Sequence, residues 1–305
     1  MPALGVAASL LAGCSKPTFT QPMTLAGQQV SAKVLEHGQE EYTLYCRACH
    51  GDKGDGNGPS SFGLRPPPRD FTKAQFKFGW VVDGLPHDDD LRRIVKSGLH
   101  GTAMLAWGMP DRELDPILAY IKTFNAAAWN ETGLGTQVVA PADPWAGRAD
   151  EAQARGKQLY HGKAQCWTCH PAYVAKQELY DIRQSADFRP GLYDAEPKKS
   201  QFAKNGHDVI ILPPDFTFSQ LRSIRDDHAL TDTFSLIAAG IPGTAMPTWT
   251  GSLPDEDIWA IAHYVDSLRR LRNTPEAAML RKQLMEQPEF VPPAPTQPAP
   301  TGAGL

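Results

Sequence analysis

The chain has 305 residues, 41% of them hydrophobic and 21% charged, with a formal net charge of −4. These values fit a globular chain long enough for one large domain or two small ones, and they lack the basic stripe of a nucleic-acid binder, so no nucleic-acid partner is expected. With 26 glycines and 27 prolines, much of the chain should be loop.

At the N-terminus, Ala3 to Leu11 form an apolar run with the length of a signal-peptide core, too short to span a bilayer. The run ends in Leu11-Ala12-Gly13-Cys14, which resembles a bacterial lipobox. That resemblance implies cleavage before Cys14, a lipid on this cysteine and a place on the periplasmic side of a bacterial membrane. No Lys or Arg precedes the run, so the expectation is a true start upstream of Met1. The alternative reading is a frayed arm with a chance cysteine. No other apolar run is long enough for a transmembrane helix.

From residue 29 onward the chain repeats itself. Ser31–Tyr45 reads as a helix leading into Cys46-Arg47-Ala48-Cys49-His50, and Glu151–Tyr160, extending toward Ala164, leads likewise into Cys166-Trp167-Thr168-Cys169-His170. Gly38 and Tyr42 stand before the first string as Gly156 and Tyr160 stand before the second. Pro67-Pro68-Arg69-Asp70-Phe71-Thr72 is echoed by Pro213-Pro214-Asp215-Phe216-Thr217. Asp88–Ser97, opened by acids and closed before Gly98, reads as a further helix. It runs into Gly101-Thr102-Ala103-Met104, matched by Gly243-Thr244-Ala245-Met246, with Trp107 and Trp249 three residues beyond each methionine.

Both copies close on an amphipathic helix. Leu114, Ile117, Leu118, Ile121 and Phe124 make the apolar face of the first, and Ile258, Ile261, Ala262, Val265 and Leu268 that of the second. The domains expected are therefore 29–130 and 151–272, joined by a Gly/Pro/Ala-rich linker at 131–150. Residues 1–28 form the leader and its linker, and 273–305 a helical then proline-rich disordered tail. Extra residues near 173–209 lengthen the second copy and read as a surface loop; Val209–Leu212 is the one strand candidate.

Of five cysteines, four lie in the two C-x-x-C-H strings and the fifth is Cys14, which leaves none for a structural disulfide. C-x-x-C-H places two thiols on one helical turn with an imidazole beside them, the pattern of covalent c-type haem attachment. A thioredoxin-like redox pair would want a βαβ context, and zinc would want four clustered ligands. On these strings, in register with the duplicated loops, the chain resembles tandem class I cytochromes c over nearly all of residues 29–272.

That resemblance implies an all-α fold of two helical domains, each around one haem c. It implies attachment at Cys46, Cys49, Cys166 and Cys169, axial ligation by His50 and His170, and sixth ligands Met104 and Met246. Met109 and His100 are the competing candidates for the first iron. His161, His207, His228 and His263 are expected in packing or surface roles, and Tyr42 and Tyr160 in structural ones. The resemblance also gives each ligating histidine a proline-loop carbonyl at Pro67 or Pro68 and at Pro213 or Pro214, with Arg65 and Arg69 available to haem propionates.

The expected function is electron transfer without catalysis, between a membrane-bound donor and a terminal oxidase or reductase. The alternatives are a dihaem peroxidase or thiosulfate dehydrogenase, or a fixed subunit of a larger respiratory complex.

Overall fold

The computed structural model describes residues 18–200 and 209–293. It is mostly helical, in two similar halves, as expected of an all-α chain. The first half opens with a hairpin, β1 (Met23–Leu25) and β2 (Gln28–Val30), turned by Ala26 and Gly27 at positive φ. Helix α1 (Ala32–Tyr45) follows, capped by the Ser31 hydroxyl on the Val34 N–H, and ends on the short turn α2 (Arg47–His50). After a loop and strand β3 (Val81–Val82) come α3 (Asp88–Ser97), α4 (Asp111–Thr123) and α5 (Ala126–Glu131). Strand β4 (Thr136–Gln137) then pairs antiparallel with β3.

The second half contains α6 (Ala149–His161), α7 (Lys176–Arg183), the ribbon β5 (Lys198–Lys199) with β6 (Ile210–Ile211), α8 (Ala229–Ala239), α9 (Asp255–Arg270) and α10 (Pro275–Met285). The helices foreseen from periodicity form with nearly the expected bounds. The strand foreseen at Val209–Leu212 is present as β6.

In each half the first helix crosses the closing helix at a glycine. A Cβ on Gly38 would lie 2.0 Å from the Pro116 carbonyl oxygen, and one on Gly156 2.0 Å from the Ala260 carbonyl oxygen. The two backbones therefore touch directly, and any side chain at these positions forces them apart. The apolar faces flank this crossing. Leu114, Ile117 and Leu118 are buried in α4, as are Ile258, Ile261 and Ala262 in α9. Each large aliphatic side chain so buried contributes about 1.5–3 kcal/mol.

Two segments are more integrated than their composition suggests. The stretch near 173–209 reads as a surface loop, but α7 buries Leu179 completely, and Val174, Leu192 and Tyr193 join the second core. The correction has a simple cause: a few apolar residues dispersed among polar ones still find a common face. Residues 131–150 form a strap, paired through β4 to the first half and sunk through Trp145 into the second core. Trp145 Nε1 donates to the Glu256 carbonyl (3.0 Å), and His263 and Asp143 bond at 2.8 Å. Helix α10 likewise packs Ala277 and Leu284 inward.

The histidines fill the packing and surface roles expected where they are described; His207, Cys14 and the proline-rich end lie outside the described residues. His161 is fully buried. Its Nε2 accepts from the Tyr173 N–H (3.3 Å), so Nδ1 donates to the Lys157 carbonyl (2.9 Å). Protonation would set two N–H groups face to face, and burial lowers the pKa from 6.5 to about 4.

Two outcomes follow from this packing. Gly156→Ala, which would favour an isolated helix, should destabilise the protein by about 3 kcal/mol in denaturant titration; equal or greater stability would contradict the backbone contact. Because the folded state keeps His161 neutral while the unfolded chain protonates near 6.5, its contribution is complete above that pH and lost as pH falls toward 4. Relative to His161→Gln, the wild type should lose about 3 kcal/mol across that window. Parallel pH profiles would contradict the assignment.

Candidate haem sites

The two C-x-x-C-H strings fold into the same turn. The N–H groups of Cys49 and His50 donate to the Cys46 carbonyl (3.2 and 2.9 Å), and those of Cys169 and His170 to the Cys166 carbonyl (3.1 and 2.9 Å). All four cysteines are free thiols, half-buried and not bridged. Burial, then the neighbouring cysteine, pushes the Cys46 thiol up to about 12; burial does the same to Cys166. Protonated thiols are poor metal ligands and weak nucleophiles toward disulfides. Among the described residues, no three His, Cys, Asp or Glu side chains gather as a metal cluster.

A tyrosine locks each turn from behind. Tyr42 donates to the Gly51 carbonyl (2.8 Å) and Tyr160 to the Pro171 carbonyl (2.9 Å), both rings being buried. These are the structural roles expected of the pair.

The histidines are oriented by the loops that carry Asp-Phe-Thr. His50 Nδ1 bonds the Arg69 carbonyl at 3.1 Å and stacks on Phe71 with ring centroids 4.5 Å apart. His170 Nδ1 bonds the Pro214 carbonyl at 2.9 Å and stacks on Phe216 at 4.7 Å. Burial lowers the His170 pKa, which favours the neutral ring. A carbonyl on Nδ1 fixes the tautomer and leaves Nε2 as the nitrogen able to coordinate a metal.

Pro214 lies within the expected pair, whereas in the first half the carbonyl is that of Arg69 rather than Pro67 or Pro68. The reason is local. Asp70 binds the Thr72 N–H (2.9 Å) and Asp215 the Thr217 N–H (2.9 Å), so each turn is anchored at its aspartate. The preceding residue then faces the histidine, and the first copy has one residue more between proline and aspartate. Phe71 and Phe216, which the motif reading passed over, were visible as the repeated Asp-Phe-Thr string.

The methionine loops are equally duplicated. Leu99 N–H donates to the Met104 carbonyl (2.8 Å), Thr102 Oγ1 to the Leu99 carbonyl (2.7 Å), and Met104 N–H to Thr102 Oγ1 (3.0 Å). The corresponding bonds around Ile241, Thr244 and Met246 measure 3.2, 2.8 and 3.1 Å. Gly98 and Gly240 begin these loops at φ 68° and 69°, where a Cβ would strike the returning backbone 2.6 Å away. Trp107 N–H then returns to the Val95 carbonyl and Trp249 N–H to that of Ala238, at 3.1 and 3.0 Å.

Met104 and Met246 are half-buried, while Met109 belongs to the first core with 9% exposure. Tyr45 meets Trp107 edge-on at 5.4 Å, which brings the first cysteine turn beside the Met104 loop. In the second half Cys166, Met246 and Trp249 pack against one core. His100 donates its N–H to the Arg222 carbonyl at 2.8 Å. Arg65 is exposed and bonds the Leu64 carbonyl; Arg69 is half-buried, and the protein packed around it lowers its guanidinium to about 10.

Two unbridged cysteines on one turn, an imidazole held through Nδ1 and a half-buried thioether on a rigid loop fit the donor set that haem c takes. Bound there, haem would join the cysteine sulfurs covalently, with imidazole and thioether as its axial groups. Several buried donors, among them Arg47 Nε, Trp80 Nε1 and Trp167 Nε1, have no partner among the described residues, as expected where an acceptor-bearing group belongs. No described helix is long and apolar enough to cross a membrane.

Comparison with known proteins agrees with this geometry. A chain of the reducing HAO-like protein complex of Kuenenia stuttgartiensis has a similar structure, with TM-score 0.58 and 27% identity, covering 76% of this chain and 96% of that one. No curated protein matches the chain. Residues 33–121 and 151–265 each match the family described as cytochrome c oxidase, cbb3-type, subunit III. With both helical halves matched in turn, the chain belongs to that family of cytochrome c domains.

Proposed function

We propose that this chain is a dihaem electron carrier with two His/Met-ligated haems c, working as part of a respiratory electron-transfer assembly. The observation that carries the reading is the exact duplication of chemistry, not of motif alone. Each half pairs a carbonyl-oriented histidine with a methionine loop closed by the same three hydrogen bonds.

In this reading Cys46 and Cys49, and Cys166 and Cys169, hold the porphyrins. His50 and Met104 ligate one iron, His170 and Met246 the other. The haem supplies a one-electron couple, and thioether ligation favours its reduced form. The chain's task is to keep both axial groups in place. The Arg69 and Pro214 carbonyls hold the imidazoles, the Thr102 and Thr244 hydroxyls hold the methionine backbones, and little needs to move when an electron passes. Met109, committed to the core, supports Met104 as the sulfur donor.

A fixed place in a complex is favoured by the family, that of an oxidase subunit, and by the similar structure, a chain of an HAO-like protein complex. The partners proposed are a membrane-bound donor and a terminal oxidase or reductase, with Cys14 lipidated on the periplasmic side. A catalytic dihaem oxidoreductase needs a displaceable ligand at one iron, and two matching methionine loops favour the carrier.

The test is spectroscopic. In the oxidised holoprotein, Met104→Ala should remove about half of the near-infrared methionine–iron band, and adding Met246→Ala should remove the rest, while Met109→Leu leaves it intact. Loss of the band in Met109→Leu would move the first ligand. A high-spin haem in the resting protein would overturn the carrier reading in favour of catalysis.

A further inference from the structure

The two cysteine turns share one shape but differ in what binds their carbonyls. In the first half, backbone donors do this. Gly56 N–H donates to the His50 carbonyl at 2.8 Å, Gly58 N–H to that of Cys49 at 3.2 Å and Ser60 N–H to that of Ala48 at 2.8 Å. That loop lies so close that a Cβ on Gly58 would fall 2.3 Å from the Ala48 carbonyl oxygen. In the second half Glu196 N–H likewise donates to the Cys169 carbonyl, at 2.8 Å. The His170 carbonyl, however, is taken by a side chain: Arg189 Nη2 donates to it at 3.1 Å, and Arg189 Nε donates to the Trp167 carbonyl at 3.0 Å.

Arg189 belongs to the stretch that lengthens the second copy, and the rest of its guanidinium is bonded within that stretch. Nη1 donates to the Pro190 and Gly191 carbonyls at 3.2 and 2.7 Å, and Nη2 also to those of Leu192, at 3.5 Å, and Asp194. All these acceptors are neutral. The carboxylate partner, Glu196, lies 3.7 Å away and is 43% exposed, against 14% for the arginine side chain. Carbonyl dipoles hold a guanidinium in place without cancelling its charge, and an exposed carboxylate is screened by water. An arginine also stays charged at every working pH. The second turn thus carries a fixed cation on its backbone at the place where the first turn carries a neutral glycine N–H.

Reduction of a haem iron adds one electron and breaks no bond, so its equilibrium responds to charges fixed nearby. A neighbouring cation disfavours the ferric form, which carries one positive charge more than the ferrous. We propose that Arg189 is a positioning residue of the second site: it holds the Cys166–His170 turn and sets beside it a fixed positive charge that raises the potential of the haem held there. The two matching axial sets are thereby made unequal, and the electron is drawn toward the second half. This rests on the reading that the Cys166–His170 turn holds a haem.

The experiment is a spectroelectrochemical titration of the holoprotein carrying Arg189→Gln, Arg189→Lys or Glu196→Gln. The second-half haem is identified as the one altered in Met246→Ala. Arg189→Gln should lower that haem's reduced-to-oxidised ratio about three- to tenfold at fixed potential, tenfold being 59 mV. Arg189→Lys keeps the charge with fewer bonds and should retain most of the wild-type ratio. Glu196→Gln removes the screened counter-charge and should raise the ratio, by less than Arg189→Gln lowers it. The first-half haem should shift less in every variant. An unchanged second-half midpoint in Arg189→Gln holoprotein, or equal shifts of both haems, would overturn the proposal. So would Arg189→Lys falling as far as Arg189→Gln, since lost packing of the inserted stretch would then account for both. If Arg189→Gln yields no holoprotein, Glu196→Gln decides, and a ratio that stays or falls there overturns the proposal. A wild-type haem count of one, with Cys166 and Cys169 unmodified, would defeat the underlying reading instead.

Discussion

The direct contact of two helix backbones, made once in each half, is the constraint on which the rest of the molecule depends. Gly38 against Pro116 and Gly156 against Ala260 bring the first helix close enough to the last that no side chain fits between them. The end of that first helix is the cysteine turn, so the crossing fixes where each turn sits relative to the core. Tyr42 and Tyr160, one helical turn further on, then tie the crossing to the residue after each histidine. Position therefore passes from helix packing to the imidazole through bonds that are short and buried.

The histidine and the methionine are held by different means. The imidazole is held through side-chain chemistry, a carbonyl on Nδ1 and a stacked phenylalanine. The methionine is held by backbone, a tight loop that starts from a positive-φ glycine and folds back on its helix. Both supports are stiff, which suits the proposed axial groups of an iron that exchanges electrons with little rearrangement. The same two devices recur with nearly the same distances in the second half, although 76 positions separate His170 from Met246 against 54 between His50 and Met104. The added chain is absorbed by α7 and the packed Leu192-Tyr193 pair, not by any change at the loops.

Much of this was legible in the sequence because its causes are local. Apolar spacing marked α4 and α9, acids marked the start of α3, and C-x-x-C-H and Gly-Thr-Ala-Met named the donors to expect. What escaped was set by register or by distance along the chain. One extra residue before Asp70 shifts the histidine's carbonyl from proline to Arg69. The ribbon of β3 and β4 joins segments too short to declare themselves. The burial of Leu179 and Trp145 depends on partners far away in the chain.

The central claim is that each half holds its own haem, and the most direct measurement is the intact mass of the purified holoprotein together with its haem-to-protein ratio. The account predicts two covalently bound haems per chain, one lost on replacing Cys46 and Cys49 and the other on replacing Cys166 and Cys169. A single haem per chain, or a mass showing either cysteine pair unmodified or oxidised to a disulfide, would contradict it.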